Sequence, residues 1–190
     1  KKPKIKKHIK LSTVFASIML FFMIAALIVT GSGLVYISTV LAKAPTLDPS
    51  DFESQQSTKI YDKDGVLITD IGLEIRDVIT YDDLPQATVD AFLAIEDSRF
   101  FEHNGFDIPR FIKVSLETLS SREFGAGGST LTMQLVKNTY FGSEEQVGSE
   151  NNSMIAKLNR KIQEIYLALE AERVLSKERI LELYLNKINF

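Results

Sequence analysis

The chain has 190 residues, 45% of them hydrophobic, and no cysteine. That composition suits one globular domain plus an additional segment, and excludes disulfides and thiolate metal sites. The net charge of −3 conceals a polarity: six of the 22 Lys and Arg residues fall in residues 1–10, leaving 16 basic against 25 acidic groups in the rest. An acidic body behind a basic tail argues against nucleic-acid binding, and no nucleic-acid partner is expected.

Residues 1–10 read as a basic cytoplasmic tail. From Leu11 to Ala42 no residue is charged. About 20 apolar residues cross a hydrocarbon core, so 11–42 reads as a transmembrane anchor with length to spare for tilt. The Lys-rich flank puts the N-terminus in the cytoplasm and the body outside. The rival is a cleaved signal peptide, with Ala42-Lys43-Ala44 as a loose small-x-small site. The apolar run, however, exceeds a signal core of roughly 7–15 residues. The first residue is Lys, so the chain is expected to begin inside a longer gene product.

Residues 43–80 read as a linker with a small β element. Pro45 and Pro49 punctuate its start. Asp64-Gly65, between Ile60 and Val66-Leu67-Ile68, predicts a hairpin turn. A second extended run, Ile75 to Ile79, follows Gly72 and allows two or three strands. A plain spacer is the alternative.

Residues 81–190 form the main domain, and their pattern is helical. Pro85 suits a first helical turn. Val89, Phe92, Leu93 and Ile95 give the apolar side of a helix that delivers Glu96 at its end. Ile108 to Leu119 is a second helix. Its Phe111, Ile112, Val114, Leu116 and Leu119 are too broad for a narrow stripe, which means burial or lipid contact, burial being the simpler reading. Ser120 to Gly128 reads as loop, Thr130 to Asn138 as a short helix, and Thr139 to Ser153 as a polar loop. Ile155, Leu158, Ile162, Ile165 and Leu169 fall at helical spacing. Ser176 can cap a last helix carrying Ile180, Leu181, Tyr184, Leu185 and Ile188.

Three blocks carry chemistry. Glu96 follows an apolar helix face and precedes Phe100 and Phe101. Partial withdrawal from water makes a carboxylate a better proton acceptor near neutral pH, although a surface Glu in an acidic turn has the same pattern. Asp97 and Arg99 could form a local pair. His103 lacks a second His nearby, so packing or hydrogen bonding suits it better than metal ligation, and Glu102 reads as solvated. Gly127-Gly128 lets a backbone approach a ligand, Ser129 is a natural N-cap, and the free amides behind it favour an anion. On a helical wheel Thr130, Gln134, Lys137 and Asn138 share one side, opposite Leu131 and Leu135. No Gly-Lys-Ser/Thr follows, so this is not a Walker loop. An ordinary Gly-rich turn before a capped helix is the plainer alternative. Finally, Lys157, Arg160, Lys161 and Glu164 lie opposite the apolar stripe. They read either as a solvated Arg-Glu pair worth about 0.3–0.5 kcal/mol or as an arginine on a phosphate beside a second carboxylate.

Taken in order, these blocks resemble the peptidoglycan glycosyltransferase domain of class A penicillin-binding proteins and their monofunctional relatives. The resemblance covers roughly Asp82 to Phe190. It rests on Glu-Asp-Ser-Arg-Phe-Phe-Glu-His-Asn-Gly-Phe-Asp at Glu96 and Gly-Gly-Ser-Thr-Leu-Thr-Met-Gln-Leu-Val-Lys-Asn at Gly127. Arg-Lys-Ile-Gln-Glu at Arg160 and Lys-Glu-Arg-Ile-Leu-Glu-Leu-Tyr-Leu-Asn at Lys177 complete it. It implies a mainly α, lysozyme-like fold on the outer side of the bacterial cytoplasmic membrane, preceded by one transmembrane helix and the small β element. It implies polymerisation of lipid II into β-1,4 glycan strands, with inversion and release of undecaprenyl pyrophosphate. By position, Glu96 corresponds to the general base and Glu164 to the second essential carboxylate. Lys137 and Arg160 correspond to pyrophosphate contacts, and Asp97, Arg99, Ser129, Thr130, Gln134 and Asn138 to the rest of the substrate site. No cofactor is required, and a divalent cation, Mg or Mn, at Glu164 is compatible with that role. Expected partners are lipid II, the growing strand, membrane lipid and other cell-wall synthesis proteins. The resemblance also turns the broad apolar stretch around Phe111 towards lipid contact.

Met133 stands where many relatives have Gln, one hydrogen-bonding group fewer. The chain stops within the fourth motif, so the remaining helices are expected beyond Phe190. No Ser-x-x-Lys occurs, so a transpeptidase centre either follows in a longer parent or is absent from a monofunctional one. Two other functions compete: a lytic enzyme on a lysozyme-like scaffold, and a membrane-tethered module that binds glycan or lipid II without activity.

Overall fold

The computed structural model describes residues 11–54, 58–71, 77–121, 127–142 and 153–188. Among them are six α-helices and one two-stranded sheet, so the chain is mainly α as expected. It divides into two units, one ending at Lys43 and the other running from Ala44. The first holds α1, Leu11–Leu41. At ~1.5 Å per residue it is about 46 Å long, and it is apolar enough to cross a membrane. Its hydroxyls bond within the helix: Ser17 to the Thr13 carbonyl (2.9 Å), Ser38 to Val35 (2.8 Å) and Thr39 to Tyr36 (2.7 Å). This back-bonding satisfies polar groups inside the segment, as hydrocarbon surroundings require. The basic tail lies outside the described residues.

The second unit opens with a 3-10 turn at Pro49–Phe52 and the hairpin of β1 (Thr58–Tyr61) and β2 (Leu67–Ile71). The strands are antiparallel, with Thr58 opposite Ile71 and a register shift at Ile60/Tyr61. Asp62 builds the turn by accepting the N–H groups of Asp64 (2.9 Å) and Val66 (2.8 Å) on one carboxylate oxygen. Gly65 adopts φ +79°, which disfavours any Cβ. Residues 75–76 of the expected second run lie outside the described residues, and 77–79 form no strand. Instead the Asn186 side chain takes the place of a β partner. It accepts from Ile79 N–H (3.0 Å) and donates to the Ile79 carbonyl (2.8 Å).

Five helices follow: α2 (Gln86–Glu96), α3 (Ile108–Ser121), α4 (Leu131–Val136), α5 (Met154–Val174) and α6 (Lys177–Lys187). Pro85 sits at the N-cap of α2, just outside the expected first turn. Ser176 caps α6 as expected, accepting from Arg179 N–H at 3.2 Å. The core centres on α4, which packs against both α5 and α6. Leu131, Thr132, Met133, Leu135 and Val136 are all buried, with Phe52, Phe100, Leu167, Ile180 and Leu181 around them. Each fully buried large apolar side chain contributes about 1.5–3 kcal/mol. A buried polar tie crosses this core. Thr132 donates to Glu172 (2.6 Å), whose other oxygen lies 2.6 Å from the Lys177 ammonium. That ammonium also stands 4.3 Å from the centre of the Phe100 ring.

Five local expectations change. The cap of α4 is Thr130 and not Ser129: the Thr130 hydroxyl accepts from Met133 N–H (3.2 Å) and donates to the Gly105 carbonyl (2.7 Å). The helix then widens into a π turn over Lys137–Phe141. On α5 the inferred stripe is not the inward face, since Ile155, Leu158 and Leu169 are exposed while Glu164, Leu167, Ala168 and Ala171 are buried. Close approach selects that face, because a Cβ on Gly105 would lie 2.6 Å from the Ala168 carbonyl oxygen. On α3, Ile108, Phe111, Ile112 and Leu116 are exposed, against the simpler expectation of burial. The expected Ser120–Gly128 loop begins as helix up to Ser121, and 122–126 and 143–152 lie outside the described residues.

Candidate active site

Glu96 is the last residue of α2, and its partly buried carboxylate is held from α4. The Gln134 amide N–H donates to Glu96 Oε2 at 2.9 Å. The amide cannot flip freely, because the Tyr184 hydroxyl of α6 donates to Gln134 Oε1 at 3.1 Å. Burial, and secondarily the Glu96 charge, push the Tyr184 phenol up to about 12, so it stays protonated and keeps donating. Three helices thus fix one carboxylate oxygen.

Next to Glu96, Asp97 is fully buried. It accepts from Leu131 N–H (3.0 Å) at the entry to α4, and His103 Nε2 lies 3.0 Å from the same oxygen. The sequence-based pairing of Asp97 with Arg99 is therefore not formed. Arg99 instead bonds Glu102 (2.9 Å) and lies 3.4 Å from Asp107. The Glu102 hydrogen bond, then the Asp107 charge, raise the Arg99 guanidinium above its ordinary range. His103 is hydrogen-bonded within the packed interior, as its sequence context suggested.

A cleft of about 480 Å³ opens beside Glu96. It brings together six of the residues singled out from sequence: Glu96, Ser129, Gln134, Lys137, Asn138 and Glu164. Thr130 is not among them; it is buried and spends its hydroxyl on the α4 cap and Gly105. Asp97 and Arg99 also lie outside the cleft lining. Arg160 stands behind it, its Nε 3.5 Å from Glu164. Glu164 is only 3% exposed and meets the Lys161 ammonium at 2.9 Å, which also donates to Ser129 at 2.7 Å. The expected solvated face of α5 is therefore part of the interior at this turn. One wall offers a held carboxylate. The other offers hydroxyl, amide and ammonium groups, a set that suits an anion.

The donor set around Glu164 does not fit a metal ion. Its oxygens already face two cations, and among the described residues no group of three or more His, Asp or Glu could hold a metal. No chemistry is therefore routed through one.

Three participants escaped the sequence reading. Lys161 shared a polar face with Glu164 but received no role; its i,i+3 spacing was the available signal. Tyr184 read only as core. Arg110 carried no signal, because the acceptors of its side-chain hydrogen bonds are backbone carbonyls: it donates to Gly127 O (2.5 Å) and Glu96 O (2.8 Å).

Comparison with known proteins identifies the family. A family model described as Transglycosylase matches residues 64–190. Penicillin-binding protein 1A/1B of Bacillus subtilis (strain 168) is 36% identical, over 99% of this chain and 19% of its own length. Penicillin-binding protein 1A of Streptococcus pneumoniae is 38% identical over 98% of the chain and 24% of its own length. Penicillin-binding protein 1A of Escherichia coli (strain K12) is also 38% identical, over 88% of the chain and 19% of its own length. The chain thus spans at most a quarter of these relatives. The matched residues run from the hairpin through α6 and contain the whole cleft. This chain belongs to the transglycosylase family.

Proposed function

We propose that the chain carries a peptidoglycan glycosyltransferase activity that polymerises lipid II in cell-wall synthesis. The observation that supports this most is the single cleft in which Glu96, anchored by Gln134, faces Ser129, Lys137 and Asn138. Glu96 Oε1, the oxygen not held by Gln134, accepts the proton of the 4-hydroxyl on the acceptor's N-acetylglucosamine. The acceptor oxygen bonds to the anomeric carbon of the growing strand as the carbon–oxygen bond to undecaprenyl pyrophosphate breaks. Attack from the opposite face inverts the centre and needs no covalent sugar intermediate. Lys137 and the Lys161–Ser129 pair meet the leaving pyrophosphate, and their positive charge offsets the developing anion. Arg160 supports this wall through Glu164, which keeps Lys161 in place.

The site works at a membrane in this reading. Helix α1 anchors the chain once, with the Lys-rich residues 1–10 on the cytoplasmic side and the cleft outside. The exposed Ile108, Phe111, Ile112 and Leu116 of α3 rest against lipid, which suits a substrate whose tail stays in the bilayer. Membrane lipid and other cell-wall proteins are then its natural partners.

The test uses full-length protein with lipid II, scored for glycan polymer. Glu96→Gln should lower the rate by about 10²–10⁴-fold, the range of general-base catalysis, without unfolding the protein. Full activity in that variant removes Glu96 as the base. Cleavage of finished glycan without a pyrophosphate donor would instead identify a lytic enzyme, and binding without polymer a non-catalytic module.

A further inference from the structure

Arg110 lines the same cleft and has no part in the chemistry above, yet its guanidinium reaches the carbonyls of two other lining residues, Glu96 and Gly127. Glu96 ends α2, so its carbonyl is among the last-turn acceptors that no intrahelical N–H can satisfy. The next residue, Asp97, has φ −157° and ψ 75°, so no left-handed glycine cap closes the helix. Arg110 supplies the missing donor from α3, its Nη1 lying 2.8 Å from Glu96 O. A cation there also complements the negative end of the helix. Its Nε donates to Gly127 O, at the glycine-rich entry to α4. The same group lies 3.5 Å from buried Asp97. The base of Arg110 is itself fixed, because its backbone N–H donates to Asp107 at 3.0 Å. A planar guanidinium holds its N–H directions rigidly with respect to one another; a lysine ammonium has no such fork.

We infer that Arg110 is a positioning residue, whose guanidinium clamps the carbonyls of Glu96 and Gly127 and thereby sets the carboxylate against the entry to α4. The inference rests on Glu96 being the base. The carbonyl that Arg110 holds belongs to the residue whose carboxylate takes the proton, so releasing it displaces the base without removing it. The other end of the clamp lies two residues before Ser129. The clamp therefore governs the geometry of attack more than substrate capture.

The experiment compares full-length Arg110→Ala, Arg110→Gln and Arg110→Lys with the parent on lipid II, measuring kcat, KM and melting temperature. Loss of the clamp should lower kcat by about 10–100-fold in the Ala and Gln variants, as misplacement by about an ångström does. The KM for lipid II should stay within about threefold, because substrate binding is not what was removed. Added guanidinium ion should restore part of kcat in Arg110→Ala and not in the parent, whereas Arg110→Lys should recover little. Parental kcat, a defect confined to KM, or a kcat loss that guanidinium does not relieve each overturns the clamp. If Arg110→Ala does not fold, Arg110→Gln carries the same kcat and KM criteria. Glu96→Gln runs alongside: full activity there overturns the reading of the site, whereas an inactive Glu96→Gln with a fully active Arg110→Ala overturns the clamp alone.

Discussion

Gly105→Ala is the sharpest test of how the cleft is built. Gly105 has φ +87°. An L residue in the left-handed region costs about 1–2 kcal/mol. The added methyl would lie 2.6 Å from the Ala168 oxygen and 2.8 Å from its carbonyl carbon. Both atoms are helix backbone and cannot rotate aside. Forcing an extra carbon into a packed interior costs about 1–3 kcal/mol, so the two effects together reach roughly 2–5 kcal/mol. That is a large share of the ~5–15 kcal/mol that holds a typical domain. Gly105 O also accepts from Thr130, so the strain passes directly to the cap of α4. Gly128→Ala is the internal comparison, since its φ is not in the left-handed region and the nearest atom to its Cβ is Val114 Cγ1 at 3.7 Å. It should change stability by no more than about 0.5 kcal/mol. Urea unfolding followed by circular dichroism reads both as midpoint shifts at constant slope. An unshifted midpoint for Gly105→Ala, or equal shifts for the two variants, refutes the close approach of Gly105 to α5.

Two further measurements probe the surroundings. Tyr184, raised to about 12, contributes stability that is complete below pH 10 and is lost as pH rises through about 12, because the unfolded phenol ionises first. Unfolding titrations should lose about 1–2 kcal/mol more over that window in the parent than in Tyr184→Phe; the ceiling set by the shift is discounted because the hydroxyl bonds Gln134, a residue that lines the open cleft. Identical profiles would remove the phenol as the titrating group. Glu172→Gln leaves the nearly buried Lys177 ammonium without its counter-charge. It should cost about 3–5 kcal/mol in thermal or chemical melts, and adding Lys177→Met should recover most of that. A single variant that melts like the parent contradicts the buried pairing.

What the sequence made legible depended on whether the signal was local. A charge-free run, an Asp-Gly turn and a serine before Lys177 each specify their element through immediate neighbours, and α1, the hairpin and the α6 cap formed there. Glu96 was recognisable at the end of an apolar helix face and Gln134 on the polar side of a short helix, although their mutual hydrogen bond was not. Periodicity misjudged α5 because it tracks bulk, and Ile155 and Leu158 outweigh Ala168 and Ala171 on that scale. The fold chose the small residues, since only they let the helix backbone reach Gly105. The exchange of Ser129 for Thr130 as cap has the same origin: both carry hydroxyls, and a tertiary acceptor, the Gly105 carbonyl, decides between them. Arg110 left no trace because carbonyl oxygens are common to all residues.

The enclosure of α4 has a consequence for how the cleft can respond to a ligand. Gln134, which reaches Glu96, is carried by the helix the core surrounds on its other sides. Reshaping that wall would require opening the centre of the domain, so local unfolding there costs nearly as much as global unfolding. Amide hydrogen exchange should be slowest along the cleft wall that α4 forms, the reverse of clefts lined by loops. The floor of the cleft is therefore an inelastic template. Any adjustment falls to its rim, where Ile95 is 79% exposed.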